Sequence, residues 1–257
     1  MKHTFLLKIL KSIYFSILKF IASFIARSID YLKEKNLIKS FEDHNEEFGY
    51  FRFRKEEMEK SFQTFKKHFY KSVFLDSFKI RRFAIIEATK DEKESDYFLE
   101  FGVYKAASLN FFSKFVKKNN IYGFDSFEGL NYSWAGHTEE IGHKDLKKKL
   151  PKVNNNVTLI PGWIEETLEK FINEKKNISI KFIHIDTDTY ESTDYIFKKV
   201  KPYLQNNCII LFDELYNYAG WSMGEYKALI ENFKEEEYEF FAFGLVGKQA
   251  AIRYKKL

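Results

Sequence analysis

A chain of 257 residues has room for one large domain, or for one domain and an appendage. Its 42 basic and 37 acidic residues are interspersed, so a net charge of +5 builds no basic motif and argues against a nucleic-acid partner. The single cysteine, Cys208, excludes an intrachain disulfide and fits a reducing compartment.

Residues 4–29 read as a basic amphipathic helix. At 100° per residue, Lys8, Lys11, Ser12, Ser16, Lys19 and Ser23 fall on one side, and Leu6, Leu10, Ile13, Ile17, Ile21, Phe24 and Ile25 on the other. Lys8, Lys11, Lys19 and Arg27 interrupt the run too often for a membrane span of ~20 residues, and no small-residue cleavage site marks a signal peptide. Two readings stand. One is peripheral contact with a membrane surface, at its cytoplasmic inner face; the other is packing on the domain or on a second subunit of a homo-oligomer. Residues 33–55 are charged and aromatic without a period. Residues 56–89 look mostly helical, with Met58, Phe62, Phe65, Phe69, Val73 and Phe74 recurring at three or four. The expected divisions are 1–32 for the amphipathic helix, 33–95 for a helical cap or connecting region, and 96–257 for an α/β domain.

From Tyr97 the pattern alternates strand and helix, which predicts a mostly parallel sheet. Tyr97–Val103 is the first strand, with Gly102 at its end and a helix over Ala106–Lys118. Ile121–Phe124 is the second strand and runs into Asp125. A glycine at such a turn lets a ligand approach the backbone, and the helix beyond favours a carboxylate or phosphate. An acid about twenty residues on can hold ribose hydroxyls, and Gly102 and Asp125 are 23 apart. Only one glycine stands in Gly102-Val103-Tyr104-Lys105-Ala106-Ala107, so the pattern lacks the G-x-G-x-x-G of a dinucleotide site. An ordinary strand-helix turn is the other reading. An insert carrying His137 and His143 follows, and then a strand over Val157–Ile160, Pro161-Gly162-Trp163, and a helix over Glu165–Asn173.

Lys181–Ile185 is the next strand and ends in Asp186, with Asp188 two residues on. A helix over Glu191–Val200 stops near Pro202, Asn206 and Asn207 supply a turn that tolerates positive φ, and Cys208–Phe212 is a strand ending in Asp213 and Glu214. A strand-helix-strand crossover makes the two strands parallel and usually neighbours, so Asp186, Asp213 and Glu214 converge. Crowded carboxylates repel unless protonated or neutralised, and no basic residue stands beside them in the sequence: Lys181 is at the far end of its strand. A cation is one remedy, with all-oxygen ligands suiting Mg²⁺, Ca²⁺ or Mn²⁺. Helix capping by the acids is the other reading, and it suits Asp188 best. Tyr190, Tyr216, Tyr218 and Trp221 cluster after the acidic strand ends. Gly224–Glu235 reads as a helix, and Tyr238–Phe243 with Gln249–Tyr254 as a terminal antiparallel pair.

Five blocks carry a resemblance: EFGVYKAAS (100–108), YGFDSFEGL (122–130), PGWIEETL (161–168), HIDTDTYEST (184–193) and LFDELYNYAGW (211–221). Together they resemble class I S-adenosylmethionine-dependent methyltransferases, and among these the macrocin O-methyltransferase (TylF-type) family, over about residues 97–254. The resemblance implies a Rossmann-like, seven-stranded, mostly parallel sheet flanked by helices, of order 3-2-1-4-5-7-6 with the last strand antiparallel; the helices read upstream of it make an N-terminal helical extension. It implies an enzyme that moves a methyl group to a hydroxyl of a sugar, as a small molecule or in a glycan, with Mg²⁺ or Mn²⁺ present. Carried over, Glu100, Gly102 and Ser108 form the first cofactor motif, Asp125 takes the ribose, Ser126 lies near the adenosine and Trp163 lines the adenine pocket. Asp186, Asp213 and Glu214 are the implied metal ligands, and Asp186 the implied proton acceptor, with His137 or His143 as the alternative bases. Four positions depart from the family pattern: Ala106 replaces a common glycine, Asn206-Asn207 replaces Gly-Gly, and Glu214 replaces an aspartate. Two further readings are a catechol-type phenolic O-methyltransferase and a membrane-surface binding protein that has lost catalysis.

Overall fold

The computed structural model describes residues 14–29, 49–137, 140–175 and 177–257. The chain divides into two compact units, Met1–Phe53 and Arg54–Leu257. In the first, residues 14–29 are helical (α1), as the wheel predicted; residues 4–13 of the expected helix lie outside the described residues, as do 30–48. Phe15, Ile17, Phe20, Ile21, Phe24 and Ile25 of α1 are exposed. No described helix is long and apolar enough to cross a membrane.

The second unit is built on an eight-stranded sheet. Its elements in chain order are α2 (Gly49–Phe69, entering from the first unit), β1 (Val73–Leu75), α3 (Ser77–Thr89), β2 (Asp96–Phe101), α4 (Ala107–Ser113), β3 (Ile121–Asp125), β4 (Val157–Pro161), α5 (Ile164–Glu174), β5 (Ser179–Ile185), α6 (Tyr190–Val200), β6 (Leu204–Phe212), α7 (Glu225–Asn232), β7 (Tyr238–Gly244) and β8 (Ala250–Tyr254). The strands lie in the order β4-β3-β2-β5-β6-β8-β7-β1. Among the described strands only β8 is antiparallel, to β6 and to β7. The seven expected strands therefore stand in the expected order, with one more at the edge. That strand, β1, pairs Val73–Leu75 with Ala242–Gly244 inside a stretch read as helical. Three residues are too few for the alternation that marks a strand.

Alternation sorts the core. On β2, Phe98 faces a layer with Ile80, Ala84, Ile85 and Ala88 of α3 and Leu109 and Phe112 of α4. Its neighbours Leu99 and Phe101 face the opposite layer, with Leu168 and Phe171 of α5, Ile196 and Phe197 of α6, and Phe65 of α2. Both faces of the central strands are covered, which is why β2 and β5 read as near-continuous apolar runs. β6 begins earlier than expected, at Leu204. Asn207 takes φ 66° inside it, so the turn residue is a bulge in the strand.

Candidate active site

Crossovers place the carboxyl ends of β2, β3, β5 and β6 along one rim, and ligands of open α/β sheets bind at such a rim. The turn after β2 is tight. Gly102 has φ 87°, and a Cβ there would lie 1.9 Å from the carbonyl oxygen of Asp186. Only glycine permits that approach between the ends of β2 and β5. The Asp186 N–H donates to the Phe101 carbonyl (2.8 Å), and the Gly102 N–H to the Phe124 carbonyl (3.0 Å), so three strand ends are tied together. Ala106, where a glycine is common in the resembled family, sits at φ 60° and enters α4 in the left-handed region.

Asp125 organises the same turn. Its Oδ2 accepts the N–H groups of Val103 (2.8 Å) and Tyr104 (2.7 Å), and its Oδ1 that of Phe127 (2.6 Å). A pocket of about 1020 Å³, mouth included, opens over these residues. It is large enough for a nucleoside-sized ligand with an acceptor beside it. Gly102, Ser108, Asp125, Ser126, Trp163 and Asp186 line it, so six residues predicted from four separate blocks meet in one cavity. Glu100 does not reach it. Its side chain is wholly buried beneath the floor, where Oε1 accepts the Ser108 hydroxyl and meets His184 Nδ1 at 3.0 Å.

The carboxylates behind the pocket separate into two groups. Asp186, Asp188 and Glu214 each offer an oxygen within 4.8 Å of the others. Asp213, expected in that set, is occupied elsewhere: Arg81 of α3 donates to its Oδ1, and His184 Nε2 lies 3.7 Å away, an ion pair too long for a hydrogen bond. Burial would raise the Asp213 carboxyl, but His184 and Arg81 outweigh it and hold it far below the usual carboxylate range. Burial, with the Asp213 and Glu214 charges, pushes Asp186 well above that range. Burial, with the Asp213 and Glu225 charges, does the same to Glu214.

Asp188, read as a loop residue, is 2% exposed and takes φ 63°. Its Oδ2 accepts from Lys144 Nζ at 2.6 Å. The expectation of no neighbouring base therefore fails: Arg81 and Lys144 arrive from elements 132 and 44 positions away. Asp188 Oδ1 and Glu214 Oε2 are buried without a hydrogen-bond partner. Three converging carboxylates with unspent acceptor oxygens are a donor set that fits a hard divalent cation. S-adenosylmethionine fits the pocket by the same kind of test, with a glycine turn, an acid at the second strand end and an indole on the wall.

The remaining aromatic and histidine candidates go elsewhere. Tyr216 and Trp221 pack edge-on against Phe65 in the core, and the Tyr190 hydroxyl donates to Glu231. His137 stacks on Trp134 at 3.6 Å, with its Nε2 2.8 Å from Lys248 Nζ, and Lys248 also lies over the Tyr218 ring. His143 is exposed. Neither histidine lines the pocket.

A family model described as a methyltransferase domain matches residues 99–215, the stretch from β2 to just past the acidic end of β6. Over that stretch the chain is similar to a methyltransferase domain. CalS11, a calicheamicin methyltransferase, aligns with 69% of this chain and 78% of its own at 19% identity and a TM-score of 0.56. An apo structure of CalS11, described as a TDP-rhamnose 3'-O-methyltransferase, aligns over the same shares at 21% identity and a TM-score of 0.50. An O-methyltransferase from Bacillus cereus in complex with SAH aligns with 88% of this chain and 96% of its own, at 13% identity and a TM-score of 0.47. No curated protein matches the sequence. The likeness to CalS11 establishes the fold alone: a mixed α/β sheet flanked by helices.

Proposed function

We propose that this domain transfers the methyl group of S-adenosylmethionine to a sugar hydroxyl, with a divalent cation at the neighbouring carboxylates. One observation carries the reading: a pocket suited to a nucleoside opens beside an oxygen-only donor set at the ends of the same strands. The description of CalS11 as a sugar O-methyltransferase supports the choice of acceptor. The wider TylF-type resemblance supports it as well.

The residues divide the work. Asp125 holds the turn at Val103 and Tyr104 and keeps acceptor capacity for the ribose. Ser126 and Trp163 form the wall at the adenosine end, and Ser108, fixed by Glu100, stands at the methionine end. Because the methyl sulfonium is already activated, the protein's main task is to align it with the acceptor oxygen. Asp186 reaches both the pocket and the carboxylate cluster, so it is the residue to take the acceptor proton. Asp186, Asp188 and Glu214 would hold Mg²⁺ or Mn²⁺, which supplies positive charge that lowers the pKa of a bound hydroxyl. The exposed apolar face of α1, with Lys19 and Arg27 on its polar side, supports work at an anionic membrane surface, where a glycan acceptor would be presented.

The test is a transfer assay with radiolabelled S-adenosylmethionine against nucleotide-activated deoxysugars and against catechols, with Mg²⁺ and with excess EDTA. Methylated sugar that disappears with EDTA is expected. Turnover of catechols alone would replace the sugar reading, and undiminished turnover in EDTA would remove the cation.

A further inference from the structure

We propose that Lys144 is a tethered counter-ion: its ammonium stands in the carboxylate cluster in place of a divalent cation and must leave before that cation enters. The inference rests on the metal reading above. Lys144 Nζ lies 2.6 Å from Asp188 Oδ2, and of the two side chains Asp188 is 2% exposed while Lys144 is 31% exposed. The carboxylate is fixed and buried; the ammonium sits at the end of a stem that already reaches solvent. Lysine is a point charge on a flexible chain and can swing away without breaking a planar, two-pronged contact of the kind arginine makes.

Lys144 is also the one cation ion-paired to this cluster among the described residues. Arg81 is committed to Asp213, and Lys248 sits at His137 Nε2 between the Trp134 and Tyr218 rings. One ammonium is too little for three carboxylates, and Asp188 Oδ1 and Glu214 Oε2 stay unpartnered. A divalent cation drawn to those oxygens would share Asp188 with the ammonium. A single and a double positive charge so close in a half-buried site repel strongly. The ammonium, the mobile partner, is the one to go. Lys144 belongs to the insert between β3 and β4, which also lines the pocket with Gly129, Leu130 and Asn131. Cation entry therefore loosens one tie between that wall and the strand ends, and couples metal loading to the acceptor side of the pocket.

The experiment titrates the full chain, stripped with chelator, with Mn²⁺ and reads free Mn²⁺ by electron paramagnetic resonance, without cofactor or acceptor. Lys144→Gln is expected to bind Mn²⁺ at least tenfold more tightly than wild type, and Lys144→Arg no more tightly than wild type. Equal or weaker binding by Lys144→Gln overturns the proposal and makes Lys144 a support for Asp188. No Mn²⁺ binding by either protein overturns the metal reading and this proposal together, so the two failures are distinct. Should Lys144→Gln not fold, tryptic cleavage after Lys144 in the wild type decides. Mn²⁺ should accelerate it by freeing the side chain, and an unchanged rate overturns the proposal.

Discussion

His184 Nδ1 lies 3.0 Å from Glu100 Oε1, and neither side chain has exposed surface. Burial alone would lower the imidazole pKa, but the Asp213 and Glu100 carboxylates outweigh it and hold it up at about 9. The folded value is above the ordinary value of ~6.5, so the stability this group contributes is complete below ~6.5 and is lost as pH rises through about 9. In EDTA, the melting temperature should fall between pH 7 and pH 9.5, and His184→Gln should flatten that slope. A wild-type melting temperature that stays level over this window would mean a neutral imidazole.

Asp125 accepts three backbone N–H groups around the pocket turn, and hydrogen bonds to a charged group are worth ~1.5–3 kcal/mol each. Asp125→Ala should raise the S-adenosylmethionine dissociation constant at least tenfold and lower the melting temperature together. Titration calorimetry reads the first. An unchanged isotherm would put the ribose elsewhere.

Gly102→Ala should be far more damaging than its size suggests. The added methyl would meet the Asp186 carbonyl oxygen at 1.9 Å, on a backbone at φ 87°. Strain in such a region costs ~1–3 kcal/mol before any clash, so the loss should exceed ~3 kcal/mol in urea unfolding. A variant within ~1 kcal/mol of wild type would show that the ends of β2 and β5 can part freely.

The sequence brought Asp186, Glu214 and most of the pocket within reach because each follows a strand inside a contiguous block. Asp188 was passed over although it stands two residues from Asp186. A lone acid before a helix is usually a cap, and only its left-handed backbone turns it inward. Arg81 and Lys144 carried no local signal, since their roles depend on partners that the fold alone brings close. Glu100 was expected to bind the cofactor, yet it lies buried outside the pocket lining: a period-two pattern does not say which acid on a fully buried strand has a histidine waiting for it.

Asp188 and Asp213 should separate cleanly on mutation. Asp188→Asn is expected to weaken Mn²⁺ binding at least tenfold. Asp213→Asn should weaken it less while destabilising the fold by ~3 kcal/mol or more, since Arg81 and His184 lose their shared carboxylate. Mn²⁺ titration and thermal unfolding on both variants check this, and the reverse ranking would restore Asp213 to the ligand set.

The apolar side of α1 should bind anionic lipid. Ile17 and Ile21 are 53% and 47% exposed and belong to the first unit, so Ile17→Glu with Ile21→Glu should leave the fold of the second unit intact. Sedimentation of the full chain with vesicles containing phosphatidylglycerol should drop several-fold in the double variant. Equal sedimentation, or a change in oligomer size without lipid, would favour protein packing for this helix.

The short strand β1 settles where the gene can be cut. A version starting at residue 96 keeps every recognisable block, yet it strips the partner from Ala242–Gly244 and leaves that apolar rail open to pairing with another molecule. It also removes Arg81, and with it the guanidinium that Asp213 was folded around. The shortest self-sufficient piece of this protein is therefore set by a three-residue selvedge that no motif search would retain, and it begins upstream of Val73.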